Sequence, residues 1–177
     1  ADVTDPDAME RAIAGCVTRF GGLDILVSNA GVFTPTQRIG AIDPALWESS
    51  LALNLTSHLG LLQRAVPFLR LGFDPCVVII GSKNVAAPGP GAAAYSVAKA
   101  GLTQLARVAA LELASDGIRV NTLHPHLVLD TASWTEEVLA ARAEQYGMTV
   151  EEYQHNNLLG VAITTRDVAN AVLALVG

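Results

Sequence analysis

Short apolar runs alternate along this chain with segments whose apolar residues recur every three or four positions. Leu23 to Ser28, Val77 to Ile80 and Ile118 to Leu123 are short and nearly continuous in their apolar character, which predicts strands buried on both faces. Each run ends in polar or flexible residues: Asn29-Ala30-Gly31, Gly81-Ser82 and His124-Pro125-His126. Between the runs the period becomes helical. Met9, Ile13, Cys16 and Val17 give the stripe of a helix over Asp5 to Phe20, with Pro6 in its first turn. Pro44 to Leu69 predicts one long helix capped by Asp43. A Gly/Pro-rich loop, Pro88 to Gly91, leads into a helix that carries Tyr95, Leu102, Leu105, Val108 and Leu113 and stops near Asp116-Gly117. Further helices are expected over Thr135 to Tyr146, Val150 to Asn156 and Arg166 to Leu175.

Strands alternating with helices predict an α/β fold, a parallel sheet covered on both faces. In such sheets ligands bind beyond the carboxyl ends of the strands. Asn29, Ser82, His124 and His126 fall at those ends. Composition narrows the classes further. At 177 residues, 51% of them hydrophobic and 16% charged, the chain can bury one real core. A net charge of −6 offers no footprint for nucleic acid or an anionic membrane, and no apolar run is long enough to span a bilayer. Neither end reads as a signal peptide, and Cys16 and Cys76 read as free thiols, so a reducing cytoplasmic setting is expected.

The candidate chemistry centres on Tyr95 and Lys99, four residues apart and therefore on one helix face. A neighbouring ammonium is expected to lower the phenol pKa from its reference of about 10, making Tyr95 a proton carrier for an alcohol or carbonyl. That spacing alone also fits a packed tyrosine beside a solvated lysine. Ser96-x-x-Lys99 would suit a serine acyl hydrolase, but the Ser-Asp-Asn and Lys-Thr-Gly partners of that class are absent. His124-x-His126 lacks a carboxylate or cysteine at metal-ligand spacing, so no metal is expected. His126 reads as pocket polarity or structure, His58 and His155 as surface or structural residues, Trp47 as a packing anchor, and Trp134 as an anchor or a pocket wall. Asn54 fits a satisfied core amide as well as a functional role.

Ser28-Asn29-Ala30-Gly31 after a strand, Asn54 in the long helix, Ser82 after the next strand, Tyr95 with Lys99, and Arg119-Val120-Asn121 ahead of Pro125 together resemble the short-chain dehydrogenase/reductase family over almost the whole chain. The resemblance implies a Rossmann-like doubly wound parallel sheet, here partial. The strands present would be the fourth, fifth and sixth, with the first three and the last outside residues 1–177, a single partial domain of a longer chain. It implies Tyr95 as general acid/base and Lys99 as tuner of its pKa and ligand of the nicotinamide ribose. Ser82 would bind the substrate oxygen, and Asn54 would hold a relay water on its backbone carbonyl. Asn29, Ala30 and Gly31 would lie along an NAD or NADP cofactor, with Asp2 and Val3 at its adenine and Val128 a candidate contact. A homodimer or homotetramer would be built on Pro44 to Leu69 and Ala92 to Leu113, where Ala98, Gly101, Ala106, Ala109 and Ala110 permit close approach.

A closer resemblance lies in Gly81 to Gly91 and in Asp130-Thr131, Trp134-Thr135-Glu136-Glu137 and Asn157-Leu158-Leu159. These are similar to the dehydrogenase half of bifunctional rhamnulose-1-phosphate aldolase/short-chain dehydrogenase proteins. That implies NAD, a small substrate such as lactaldehyde, a place in rhamnose catabolism, and an aldolase domain fused upstream. The chain also departs from the family. The Thr-Gly-x-x-x-Gly-x-Gly turn that seats the pyrophosphate is absent, Pro125-His126 replaces the usual Pro-Gly, and Thr131 sits one position late. A catalytically silent fragment or interaction module, weak in cofactor binding, is the alternative expectation.

Overall fold

The three apolar runs form one parallel sheet, in the order β1 (Ile25–Ser28), β2 (Cys76–Ile80), β3 (Arg119–Leu123), with Val27 opposite Val78 and Val78 opposite Asn121. The structure, a computed structural model, describes all residues 1–177. It comprises two compact units, Ala1–His124 with Leu175–Gly177, and Pro125–Ala174. No helix is long and apolar enough to cross a membrane, and both cysteines are free thiols.

In the first unit β2 is the centre of the core, buried at every position, as its unbroken apolar run requires. Val77 and Ile79 pack with Ile13 of α1 (Pro6–Phe20), Leu62, Ala65 and Leu69 of α3 (Ser57–Leu69), and Leu102, Ala106, Ala109 and Leu113 of α4 (Ala93–Leu113). The alternate residue Cys76 directs its thiol at the Leu175 carbonyl, 3.5 Å away. Strand β1 pairs only with β2; Leu26 and Ser28 are buried, while Ile25 and Val27 are 44% and 42% exposed. The Asp5 carboxylate caps α1 through the amides of Asp7 and Ala8. Helix α4 gives way to a short 3₁₀ turn that ends at Gly117, whose φ of 72° is cheap only for glycine.

Two expectations need correction. The long helix is α2 (Pro44–Leu51, capped by Asp43) and α3 joined by a π turn over Ala52–Thr56, where the Ser57 amide reaches back five residues to the Ala52 carbonyl. The wide turn holds the fully buried Asn54, and the Ser57 hydroxyl takes the Leu53 carbonyl at 2.6 Å. The small residues of α4 do not form an outer face either. Ala98, Ala106 and Ala109 are buried, and a Cβ on Gly101 would stand 3.0 Å from a Leu55 methyl.

In the second unit α5 (Glu136–Gln145) and α6 (Val150–Gln154) bury Leu139, Ala143 and Tyr153, with Trp134, Tyr146 and Met148 packed against them. Thr149 and Glu152 form a reciprocal cap on α6. The Asp130 carboxylate accepts from the Thr165 amide and hydroxyl at the start of α7 (Thr165–Val176).

Candidate active site

Tyr95 and Lys99 occupy the first turns of α4, and Ser82 follows the end of β2. The Tyr95 ring packs against Phe33, centroids 4.9 Å apart. Burial pushes the phenol pKa above its ordinary value, and the hydrogen bond with Ser82 pulls the other way. This corrects the expected lowering by Lys99: the helical spacing is real, but the ammonium lies 5.9 Å from the ring centroid and donates instead to the Ile80 carbonyl at 2.8 Å. Lys99 is itself 2% exposed, and burial lowers its pKa to about 8.

Asn54 and Gly31 meet Lys99 from the other side. The Asn54 Oδ1 accepts from the Val32 amide at 3.0 Å, and its Nδ2 donates to the Val32 carbonyl at 3.1 Å and to Ser50 Oγ at 3.3 Å. A Cβ on Gly31 would stand 3.0 Å from Asn54 Oδ1 and 3.2 Å from Lys99 Nζ. The glycine is therefore needed where backbone, amide and ammonium converge. The Asn54 side chain is a satisfied core amide that fixes the loop after β1, while its main chain lies in the π turn.

Ser82 has a partner that the sequence reading missed. His124 Nδ1 lies 3.3 Å from the Ser82 amide and 3.0 Å from its carbonyl. The same ring explains Gly81, whose Cβ would fall 2.7 Å from His124 Nδ1. His126 instead donates from Nε2 to the Asn156 carbonyl within the second unit. His58, expected at the surface or in a structural place, is 1% exposed and bonds Ser28. Asn29 is exposed and Ala30 half-buried at the end of β1. Asp2 is exposed with its carboxylate on the Thr4 amide and hydroxyl, and Val3 beside it is half-buried. Val128 belongs to the second unit, bridged to Ile163.

Residues 1–177 match a family model described as enoyl-(acyl carrier protein) reductase. The chain belongs to the short-chain dehydrogenase/reductase family. A sorbitol-6-phosphate 2-dehydrogenase structure from Erwinia amylovora superposes with a TM-score of 0.91 at 27% identity, covering 100% of this chain and 70% of that one. The carveol dehydrogenase of Mycobacterium avium in complex with NAD gives 0.87 at 27% identity, covering 99% and 66%. An uncharacterized oxidoreductase of Bacillus subtilis is 33% identical over 97% of this chain, yet the match spans only 26% of that relative.

Proposed function

We propose that this short-chain dehydrogenase/reductase chain moves a hydride between NAD and a small alcohol/aldehyde or sugar-derived carbonyl, with lactaldehyde the leading substrate. The observation that carries the reading is the meeting of a half-buried phenol, the Ser82 hydroxyl and a buried ammonium beyond the carboxyl ends of β1 and β2.

The donor set fits a nicotinamide dinucleotide. Lys99 uses one of its three N–H groups on Ile80, which leaves two for ribose hydroxyls. Gly31 and Val32 are held flush against Asn54, with Asn29 and Ala30 in the same loop. These residues, with Tyr95, Asp2 and Val3, are the proposed cofactor contacts of the first unit. The bound cofactor donates or accepts the hydride.

The chain's own residues handle the proton and the orientation. In carbonyl reduction Ser82 Oγ holds the substrate oxygen while the Tyr95 hydroxyl gives it a proton; in alcohol oxidation the Tyr95 oxygen takes that proton back. Burial keeps Tyr95 protonated near neutral pH, which favours the acid role, and the charged Lys99, 5.9 Å from the ring centroid, supplies the donors for the ribose. The proposed relay water would be held by the Asn54 main-chain carbonyl, which lies in the π turn.

The assignment to a bifunctional protein rests on the motif resemblance; two observations bear on a longer chain, and neither on what is fused to it. A Bacillus subtilis relative is several times longer than the matched segment. The unpaired edge of β1, with Ile25 and Val27 exposed, is poorly suited to water. We therefore read residues 1–177 as a partial cytoplasmic dehydrogenase domain of a longer chain, with an aldolase domain upstream.

Titration of NADH fluorescence, followed by turnover assays with lactaldehyde, hydroxy acids and sugar alcohols, tests the reading on the longest chain that carries these residues. Nicotinamide turnover that is lost in Tyr95→Phe supports it. A folded chain with no NADH response overturns it in favour of a silent interaction module.

A further inference from the structure

His58 is a fully buried ionisable group that the chemistry above leaves unused. It lies on α3, four residues after Asn54, with 1% of its surface exposed. Its Nδ1 is 2.7 Å from Ser28 Oγ. Its Nε2 is buried without a full hydrogen bond, and the Ala30 backbone is the polar neighbour that favours a proton on the ring. A proton on Nε2 leaves Nδ1 as acceptor for the Ser28 hydroxyl.

The two ends of one short loop are thus held by neighbouring residues of the π turn and the first turn of α3. Ser28 ends β1 and is bonded by His58; Val32 is bonded twice by Asn54; Gly31 between them meets Lys99 Nζ. Sheet pairing ends at Ser28, opposite Ile79, and Asn29 to Val32 lie outside any strand or helix, so beyond that point the side chains of His58 and Asn54 add to what holds the segment.

We propose that His58 is a positioning residue for the cofactor loop, forming with Asn54 a two-point clamp that sets the approach of Gly31 to Lys99. The cofactor part of this proposal rests on the dehydrogenase reading; the clamp itself does not.

The test compares His58→Leu, His58→Asn and Ser28→Ala by amide hydrogen exchange, and by NADH binding in the same chain. Leucine keeps bulk and removes polarity, whereas asparagine keeps a polar atom near the position of Nδ1. The expected result is exchange at Ala30, Gly31 and Val32 about tenfold faster in His58→Leu and Ser28→Ala, the factor one lost buried hydrogen bond carries. Val77 to Ile79 should be unchanged and His58→Asn close to wild type. NADH affinity should weaken by a similar factor while kcat at saturation holds. If the exchange pattern appears but no variant, wild type included, binds NADH, the dehydrogenase reading fails and the clamp stands. Faster exchange throughout β2 with no excess in the loop would make His58 a packing residue and overturn the proposal. Should His58→Leu not fold, Ser28→Ala decides alone: unchanged loop exchange there overturns it too.

Discussion

Lys99 donates a 2.8 Å hydrogen bond to the carbonyl of Ile80, so the ammonium beside the proposed proton donor is anchored to the end of the central strand. Its position is therefore fixed by β2 as well as by α4. The same burial that fixes it makes its charge labile, with a pKa of about 8. Carbonyl reduction needs protonated Tyr95, which its raised pKa guarantees across neutral pH, and charged Lys99. Reductase activity is expected to be flat below neutrality and to fall as pH rises through about 8. Lys99→Arg, which cannot lose its proton there, should move that limb upward even if overall activity drops. A pH–rate profile of both proteins is the measurement; coincident limbs would remove Lys99 from the explanation.

Tyr95→Phe removes the proton donor and keeps the ring that packs on Phe33. Turnover is expected to fall by roughly 10² to 10⁴ with little change in thermal midpoint. Retention of more than about a tenth of wild-type turnover contradicts the assignment, because a positioned acid contributes far more than that.

Acid should unfold this protein partly through His58. Burial, then the Lys99 charge, holds its pKa at about 4, below the ordinary 6.5, so the unfolded chain binds the proton more readily. Stability is thus complete above about pH 6.5 and is lost as pH falls toward 4, by about 3 kcal/mol at most for this one group. Denaturant titrations across that window should show a smaller loss in His58→Asn. Equal slopes for the two proteins would mean that the imidazole gains a proton without cost.

Gly81→Ala should damage the site more than the core. The added methyl would lie 2.7 Å from His124 Nδ1, so the ring that bonds the Ser82 backbone must move. Overpacking of this kind costs about 1 to 3 kcal/mol. A KM for the carbonyl substrate that rises more than the KM for NADH would localise the damage to Ser82, and His124→Ala in the same background should relieve the strain without restoring that KM.

Assembly is tested on the outer face of α4, where Leu111 is 81% exposed and Val97 and Val108 lie on the same side. If this face pairs with a second copy, Leu111→Lys should shift light scattering toward the monomer and leave helix content unchanged. A wild-type monomer at tens of micromolar would count against the proposed dimer or tetramer at a concentration where such interfaces hold.

Much of this was legible because the signals were local. The three apolar runs did become strands between helices, although only β2 is buried throughout and β1 leaves Ile25 and Val27 exposed, and the i, i+4 spacing of Tyr95 and Lys99 survives in α4. Their electrostatics were not legible, since spacing places a charge on a face but says nothing of the Ile80 carbonyl that takes its hydrogen bond. His58 looked like any lone helical histidine; its burial depends on Ser28, thirty residues away in sequence. The His124–Ser82 contact spans forty-two residues and joins two strand ends, a pairing no periodicity encodes. The π turn was silent for another reason: Leu51, Leu55, Leu61 and Leu62 still read as an unbroken helical stripe across it.

That turn changes how the chain can evolve around it. A π turn takes in one more residue than an α turn over about the same rotation, so the extra residue in Ala52–Thr56 shifts the sequence register of α3 by one position and leaves its faces in step with those of α2. Removing one residue there would make a straighter helix and, taken alone, better hydrogen bonding. His58, Leu62, Ala65 and Leu69 would keep their faces, and the cost would fall on Asn54, which the wide turn holds against Val32. The segment behaves as a slack link between two helices, taking up a change of length that a regular helix would pass on to every residue beyond it.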